Sequence, residues 1–236
     1  MTPAKRHFQK ATAAANSAAV ADPETTADRS QYELMLLQLA QHKRQLKGIQ
    51  SVEQKIELKK QLLPEYLPYI EGVLESDASV QDDVLMTLVV WAIDVGDITL
   101  ALRMGNYALA HGMTPPDQYS RDTATLLTEE AAEYAIANPG LVSAETIDDL
   151  EQLATGRDMP DEVRAKLYKA IGLNLQESSV PAAIGAFKRA LELNPRVGVK
   201  KLKEKLEREL KNAQAQAAKE AAALADNQEP STAATE

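Results

Sequence analysis

The chain has no cysteine, which excludes disulfides, zinc sites built from thiolates and cysteine nucleophiles. Aromatic residues make up 4% of the sequence, whereas all hydrophobic residues together make up 44%. The core must therefore consist of leucine, isoleucine, valine and alanine, which suits packed helices better than a β-sandwich. The longest apolar run, Val84 to Ile93 with Thr87 inside it, is much shorter than the roughly 20 residues that span a bilayer. Since no signal peptide is recognisable either, we predict a cytoplasmic protein that makes no membrane contact.

Motifs for phosphate-binding loops and for nucleophilic catalysis are also missing. The sequence offers one candidate for enzymatic chemistry, a set of carboxylates that could serve as metal ligands of a nuclease: Asp82, Asp83, Asp94 and Asp97. Two of them, Asp83 and Asp94, would lie about 16 Å apart on one helix, too far to share a metal. Favourable interaction with a helix dipole explains Asp82 and Asp83, and capping explains Asp97. We therefore predict no catalytic residue and no cofactor, with Mg²⁺ needed only if the chain is a nuclease.

The net charge of −9 is unevenly distributed along the chain. Between Glu65 and Glu162 there are 20 acidic and three basic residues, a net charge of −17, so the remainder carries +8. A protein with segregated charges can bind nucleic acid locally or stack on copies of itself. The alternative is that one set of helices simply has acidic solvent faces.

Almost every segment between residues 30 and 212 has a helical pattern, and no alternating strand pattern of convincing length occurs. We therefore predict an all-α, multi-helix fold. The expected N-caps are Ser30, Ser79, Asp97, Thr128 and Ser143. Pro64 and Pro68 predict a break or a restart of the helix in this region.

Two parts of the chain have more specific helical patterns. Near the start, a stripe with alternating three- and four-residue spacing predicts a helical hairpin or a short coiled coil: Tyr32, Met35, Leu39, His42, Leu46 and Ile49. Near the end, Ala183, Phe187, Ala190 and Pro195 have the spacing of the second helix of a tetratricopeptide repeat. Because one repeat cannot bury its own faces, we favour a helical hairpin that resembles the repeat over a true peptide-binding array.

These patterns divide the chain into five segments. They are a disordered basic N-terminal arm at 1–29, a basic helical segment and candidate DNA-binding or oligomerisation hairpin at 30–63, an acidic helical body at 64–157, a tetratricopeptide-like helix pair with a charged helix at 158–212, and a disordered tail at 213–236.

Basic residues outside the acidic body are the candidates for binding DNA or a protein partner. Two helices with basic faces and a break at 48–51 are compatible with a helix-turn-helix-like pair. The DNA-binding candidates are Lys43, Arg44, Lys47, Lys55, Lys59 and Lys60, together with Lys5, Arg6 and Lys10 of the N-terminal arm. A charged helix near the C-terminus is a candidate partner-binding surface through Lys200, Lys201, Lys203 and Lys205, although such a helix is also typical of a solvent face with ion pairs.

Several stretches together resemble the terminase small subunit, also labelled the terminase endonuclease subunit, of temperate contractile-tailed phages with cohesive ends, the P2-like group. The resemblance covers about residues 30–211 and is carried by residues 62–74, 81–87, 91–97, 158–167, 198–201 and 206–211. The tryptophan segment at 91–97 and the Met-Pro-Asp-Glu-Val-Arg segment at 159–164 are the most specific parts.

This resemblance implies a protein that recognises the packaging site on phage DNA, assembles as a ring and directs the large ATPase subunit in the host cytoplasm. Its expected partners are double-stranded phage DNA, the large subunit and further copies of itself. Two alternatives stay open: a metal-dependent endonuclease that cuts the cohesive-end site, and a helical scaffold that binds only protein. We favour the non-catalytic DNA-binding subunit, because the −17 block would repel DNA from an active site placed there.

Overall fold

The structure is a computed structural model that describes residues 3, 4, 6, 7, 10, 11, 26–76, 80–116 and 121–226, with the backbone alone for 26–31 and 221–226. Within these ranges the chain forms α-helices and no β-strand, as predicted. The helices are α1 (Thr26–Gly48), α2 (Val52–Glu75), α3 (Asp83–Val95), α4 (Ile98–Ala110), α5 (Thr123–Ala137), α6 (Ala144–Ala154), α7 (Asp161–Leu175), α8 (Val180–Leu193) and α9 (Lys200–Asp226).

The helix starts were predicted correctly where a polar cap follows a clear break in the chain. Asp97 accepts a hydrogen bond from the Leu100 amide, and Ser143 accepts one from the Thr146 amide, so both cap helices as expected. Gly96 ends α3 in the left-handed conformation at φ 89°, which favours glycine at this position.

Two other predicted caps are wrong. Asp82, not Ser79, caps α3, and Ser79 itself lies outside the described residues. Asp122, not Thr128, caps α5, and Thr128 lies fully buried inside that helix. In both cases an aspartate beside the first apolar turn is an equally good cap.

The structure also corrects three predicted helix boundaries. α1 begins at Thr26, so Ser30 lies inside this helix and is not its N-cap, and α9 continues through 213 to Asp226. Pro64 and Pro68 do not break α2, which runs on to Glu75. Each proline removes one backbone donor, and because the two are four residues apart both losses fall on one side of the helix. Buried residues between Leu62 and Val73, Pro68 among them, stabilise the helix through this region.

The apolar run of the sequence becomes the central helix, α3. The side chains of Val84, Leu85, Met86, Leu88 and Val89 are completely buried, since α1, α2, α4 and α5 all pack against this helix. Burying one such side chain stabilises a protein by about 1.5–3 kcal/mol. None of the helices in the described ranges is long and apolar enough to cross a membrane.

A smaller core forms where α8 packs between α7 and α9, around the fully buried Phe187. Ala183 and Ala190 of α8 are completely buried beside it, and Val199 and Leu206 cover it from the last part of the chain. The tetratricopeptide-like character of this pair stays a prediction.

Gly172 of α7 sets the spacing of this second core. A Cβ atom placed on Gly172 would lie 2.4 Å from Cε1 of Phe187, which is inside van der Waals contact. Gly185 of α8 also lies inside a helix, but a Cβ atom there meets nothing within 4 Å.

We expect Gly172→Ala to lower the free energy of unfolding by about 1–3 kcal/mol, because the added methyl group must displace a buried aromatic ring. The matched change Gly185→Ala should instead raise it by about 0.5–1 kcal/mol, since alanine is the better helix former and no contact is disturbed. Urea unfolding of both variants checks this pair. Equal effects of the two substitutions would contradict the close packing.

Candidate nucleic-acid interface

The basic surface predicted from the sequence lies on α1 and α2, which are joined by the three residues 49–51. Leu39, His42 and Leu46 form the inner face of α1 and are buried against the main core. The Ser51 hydroxyl accepts a hydrogen bond from the Gln54 amide and caps the second helix. The turn therefore fixes the basic ends of two helices relative to each other.

Four of the predicted lysines, Lys43, Lys47, Lys55 and Lys59, line one cleft of about 480 Å³. We call this the lysine cleft. It lies among α1, α2, α3 and α5, and its remaining lining residues are Leu46, Thr87, Val90, Trp91, Asp94 and Glu130.

The lysines of this cleft differ in their pairing. Lys59 forms an ion pair with Asp94. Lys43 donates a hydrogen bond of 3.1 Å to the Thr87 hydroxyl. No ion pair with a carboxylate in the described part of the chain is formed by the other three lysines, Lys43, Lys47 and Lys55. Three cations are thus available to an anion at the α1–α2 edge of the cleft.

The charge of the cleft lining changes from basic on one side to acidic on the other. Partial burial lowers the pKa of Lys43, and the nearby carboxylate of Asp83 opposes that shift. Burial raises the pKa of Glu130 on the far wall, and the neighbouring carboxylates Glu133 and Asp94 raise it further. An anion is therefore attracted to the α1–α2 edge and repelled from the α5 wall.

A chain of aromatic contacts supports the floor of the cleft. The His42 Nδ1 atom lies 2.8 Å from the Tyr66 hydroxyl. The Tyr66 ring meets Trp91 edge to face, with ring centroids 6.1 Å apart. Because Tyr66 is completely buried and Trp91 is only 4% exposed, these side chains hold α1, α2 and α3 in fixed positions beneath the lysines.

The other predicted DNA-binding residues do not line the lysine cleft. Arg44 and Lys60 are exposed on α1 and α2 but lie outside its lining. Arg6 and Lys10 lie against a different part of α2, where Lys10 pairs with Glu75 at 2.7 Å. Lys5 lies outside the described residues.

Each of the four aspartates considered as metal ligands has a local partner. Asp82 caps α3 and accepts a hydrogen bond from the Tyr69 hydroxyl. Asp83 accepts one from Gln81, Asp94 pairs with Lys59, and Asp97 caps α4. No group of three histidine or carboxylate side chains that could hold a metal ion occurs within the ranges that the structure describes.

The predicted partner-binding lysines lie in the first two turns of α9. Lys203 pairs with Glu207 at 2.7 Å and Lys205 with Glu209 at 3.7 Å, both four residues further along the helix. Lys200 and Lys201 are exposed and form no ion pair in the described part of the chain. Every residue of 211–220 is exposed too, so this half of α9 extends beyond the body of the protein.

The described part of the chain thus combines a basic pair of helices, α1 and α2, with an acidic helical body. Residues 36–162 match the model of the family described as the phage small terminase subunit. The chain therefore belongs to the phage small terminase subunit family. It is also 42% identical, over 214 residues, to the "Terminase, endonuclease subunit" of Escherichia phage P2, which covers 89% of this chain and 86% of that protein. No solved structure matches it.

Sequence reasoning missed the residues that α3 contributes to the lysine cleft, among them Thr87, Val90 and Trp91. They belong to a helix that looks uniformly apolar, so its sequence gives no period that distinguishes the side facing the cleft. Asp94 was considered as a metal ligand but not as the partner of Lys59. That contact joins residues 35 positions apart, and only the packing of α2 on α3 creates it.

Proposed function

We propose that this protein is a non-catalytic terminase small subunit that binds viral DNA at the packaging site through the lysine cleft. The observation that carries the proposal is a set of three lysines around one concave edge that form no ion pair with a described carboxylate: Lys43, Lys47 and Lys55. Lysine binds phosphate as a point charge, and each phosphate it neutralises releases condensed counterions from the duplex. Such contacts position a protein on DNA without reading its sequence.

The rest of the surface supports the same placement. On α6 the carboxylates Glu145, Asp148 and Asp149 are all exposed. Together with the acidic wall at Glu130 they repel a polyanion, so DNA is confined to the α1–α2 edge. Recognition of a particular packaging site then requires base contacts from residues beside this edge, for which the exposed Arg44 is the candidate.

Assembly into a ring and recruitment of the large subunit complete the proposal. Leu34 and Leu37 on α1 are 59% and 64% exposed, and apolar side chains next to a basic edge suit contact with a further copy. Because neither leucine belongs to the lining of the lysine cleft, such a contact leaves the lysines accessible to DNA. We assign the large subunit to α9, where Lys200, Lys201 and all residues of 211–220 are exposed. The complex would act in the host cytoplasm.

The single tryptophan of the chain is a natural reporter for this proposal, because Trp91 lines the lysine cleft. Titration with duplex DNA at low salt should produce a saturable change in tryptophan emission that disappears as salt rises. The control variant combines Trp91→Phe with Leu141→Trp, which moves the reporter to a residue 71% exposed beside acidic α6. A larger change in emission from position 141 than from position 91 would place DNA beside α6 and contradict the proposal.

One observation favours a second candidate, an endonuclease that cuts the cohesive-end site with Mg²⁺. The P2 protein, 42% identical to this chain, is named as an endonuclease subunit. Asp83 is the carboxylate to test, since its partner Gln81 is exposed and easily displaced. The test is whether the purified protein, with magnesium, nicks DNA that carries the cohesive-end site. If it does, and if Asp83→Asn stops the nicking without unfolding the chain, the protein is an endonuclease and the non-catalytic function proposed above is wrong. The third alternative, a scaffold that binds only protein, requires that no DNA binds even at low salt.

A further inference from the structure

A second concave surface lies along α2, away from the lysines of the first cleft. It encloses about 690 Å³ between this helix and the N-terminal residues. We call the described residues among 3–11 the arm, and we call the surface formed by Pro64, Leu67, Pro68, Glu71 and Glu75 the arm groove. The arm contributes Arg6, His7, Lys10 and Ala11 to the enclosed space.

The arm groove is built to attract cations. Glu71 and Glu75 are one turn apart on an exposed part of α2. Pro64 and Pro68 have no amide hydrogen, so the carbonyl oxygens of Lys60 and Pro64 lack their usual helical donors. These carbonyls lie on the same side of α2 as the two glutamates, since positions three and four residues apart share one helix face. Carboxylates and free carbonyls together make the groove negative, and the Leu67 side chain and the two proline rings form an apolar surface that accommodates a small helical segment.

The contact between arm and groove is an ion pair shared by two glutamates. Lys10 Nζ lies 2.7 Å from a Glu75 oxygen and 3.9 Å from a Glu71 oxygen. The hydrogen bond with Glu75 raises the pKa of Lys10, while Arg103 of α4 is close enough to oppose that shift.

We propose that the arm groove is the docking surface for the basic N-terminal arm of this chain, and that it withholds the arm cations from DNA. Exposed ion pairs contribute little to stability and are screened by salt, so the contact is reversible. A DNA phosphate near the released arm competes with Glu71 and Glu75 for the same cations. The 14 residues between Ala11 and Thr26 span at most about 50 Å, so a released arm reaches DNA well beyond the groove.

The docking itself is tested without DNA. Because the chain has no cysteine, a nitroxide attached through Ala4→Cys, an exposed arm residue outside the groove lining, reports on the arm alone. The paramagnetic resonance lines should sharpen when Glu71→Gln and Glu75→Gln are introduced together. The matched control Glu145→Gln with Asp149→Asn removes the same charge from exposed positions of α6 and should leave the lines unchanged. Lines that are equally sharp in all three proteins would overturn the docking.

The competition with DNA rests on the proposed function and is tested by a double-mutant comparison. Lys10→Gln should change the Kd for duplex DNA less than twofold in the otherwise unchanged protein, because Lys10 is held by the groove. In the Glu71→Gln, Glu75→Gln background the same change should weaken binding about threefold to fivefold, the effect of losing one phosphate contact. Equal effects in both backgrounds would overturn the competition. A failure of the lysine cleft would leave the nitroxide result intact, so the two proposals fail separately.

Discussion

Replacing Lys43, Lys47 and Lys55 together by glutamine should weaken the binding of duplex DNA about 100-fold near physiological salt. Each lost phosphate contact removes the release of about one counterion, and three such losses multiply to this size. Lys59 is left in place, because Asp94 depends on it as an ion-pair partner. Fluorescence anisotropy with a labelled duplex at several salt concentrations gives both the Kd and its salt dependence.

The control for this triple variant makes the same change of charge on α9, which does not line the lysine cleft. Lys200, Lys201 and Lys205 are exposed in the first turns of α9, and replacing them by glutamine should change the Kd only a few-fold through the overall field. Far-ultraviolet circular dichroism shows whether both variants keep their helices. Equal losses of affinity in the two triple variants would mean that DNA responds to net charge and not to the lysine cleft.

Asp82→Ala should lower the free energy of unfolding by about 2 kcal/mol at neutral pH. The substitution removes the hydrogen bond from the Leu85 amide that caps α3, and it leaves the hydroxyl of the buried Tyr69 without its acceptor. A lost cap costs about 1 kcal/mol, and an unsatisfied buried hydroxyl about 1–3 kcal/mol. The variant no longer buries a carboxylate, and the free energy gained in this way offsets part of these two costs. The matched control is Asp97→Ala, which removes an exposed cap from α4 and no buried partner, so about 1 kcal/mol is expected there.

The effect of Asp82→Ala should grow as the pH falls. Burial raises the pKa of Asp82 above its ordinary 3.8, although hydrogen bonds from Tyr69 and the helix amides lower it in part. The folded protein therefore keeps this proton at pH values where the unfolded chain has lost it, and the stability that Asp82 contributes is lost as pH rises through the folded pKa. Urea unfolding of both proteins at pH 4 and pH 8 measures the difference. A difference that is larger at pH 8 would contradict the assignment of burial as the dominant cause.

The sequence predicted the parts of this fold that depend on local signals. Gly96 followed by Asp97 marks the end of one helix and the cap of the next, and both functions need only the residues of that turn. The prediction failed at Pro64 and Pro68, where a local rule competes with tertiary contacts. The buried residues Leu63, Tyr66 and Ile70 hold α2 together across both prolines, and this contribution is not visible in the segment alone.

The sequence shows which basic residues could form the candidate site, but it does not show which of them share one surface. Lysines at 43, 47, 55 and 59 stand out in the sequence, yet so do Arg44 and Lys60, which have the same local context. What separates the two sets is the direction in which each side chain points once α1 and α2 pack on α3. The pairing of Lys10 with Glu75 joins positions 65 residues apart, and no local pattern predicts it.

A tethered cleavage reagent measures directly where DNA lies on this protein. Because the chain has no cysteine, an iron chelate attached through Lys47→Cys produces radicals at the lysine cleft only, and one attached through Asp149→Cys produces them at exposed α6. With peroxide and ascorbate, the chelate at position 47 should cut the bound duplex within a short stretch of its backbone, and the chelate at position 149 should leave it intact. Cutting from position 149 with none from position 47 would contradict the lysine cleft as the DNA-binding surface.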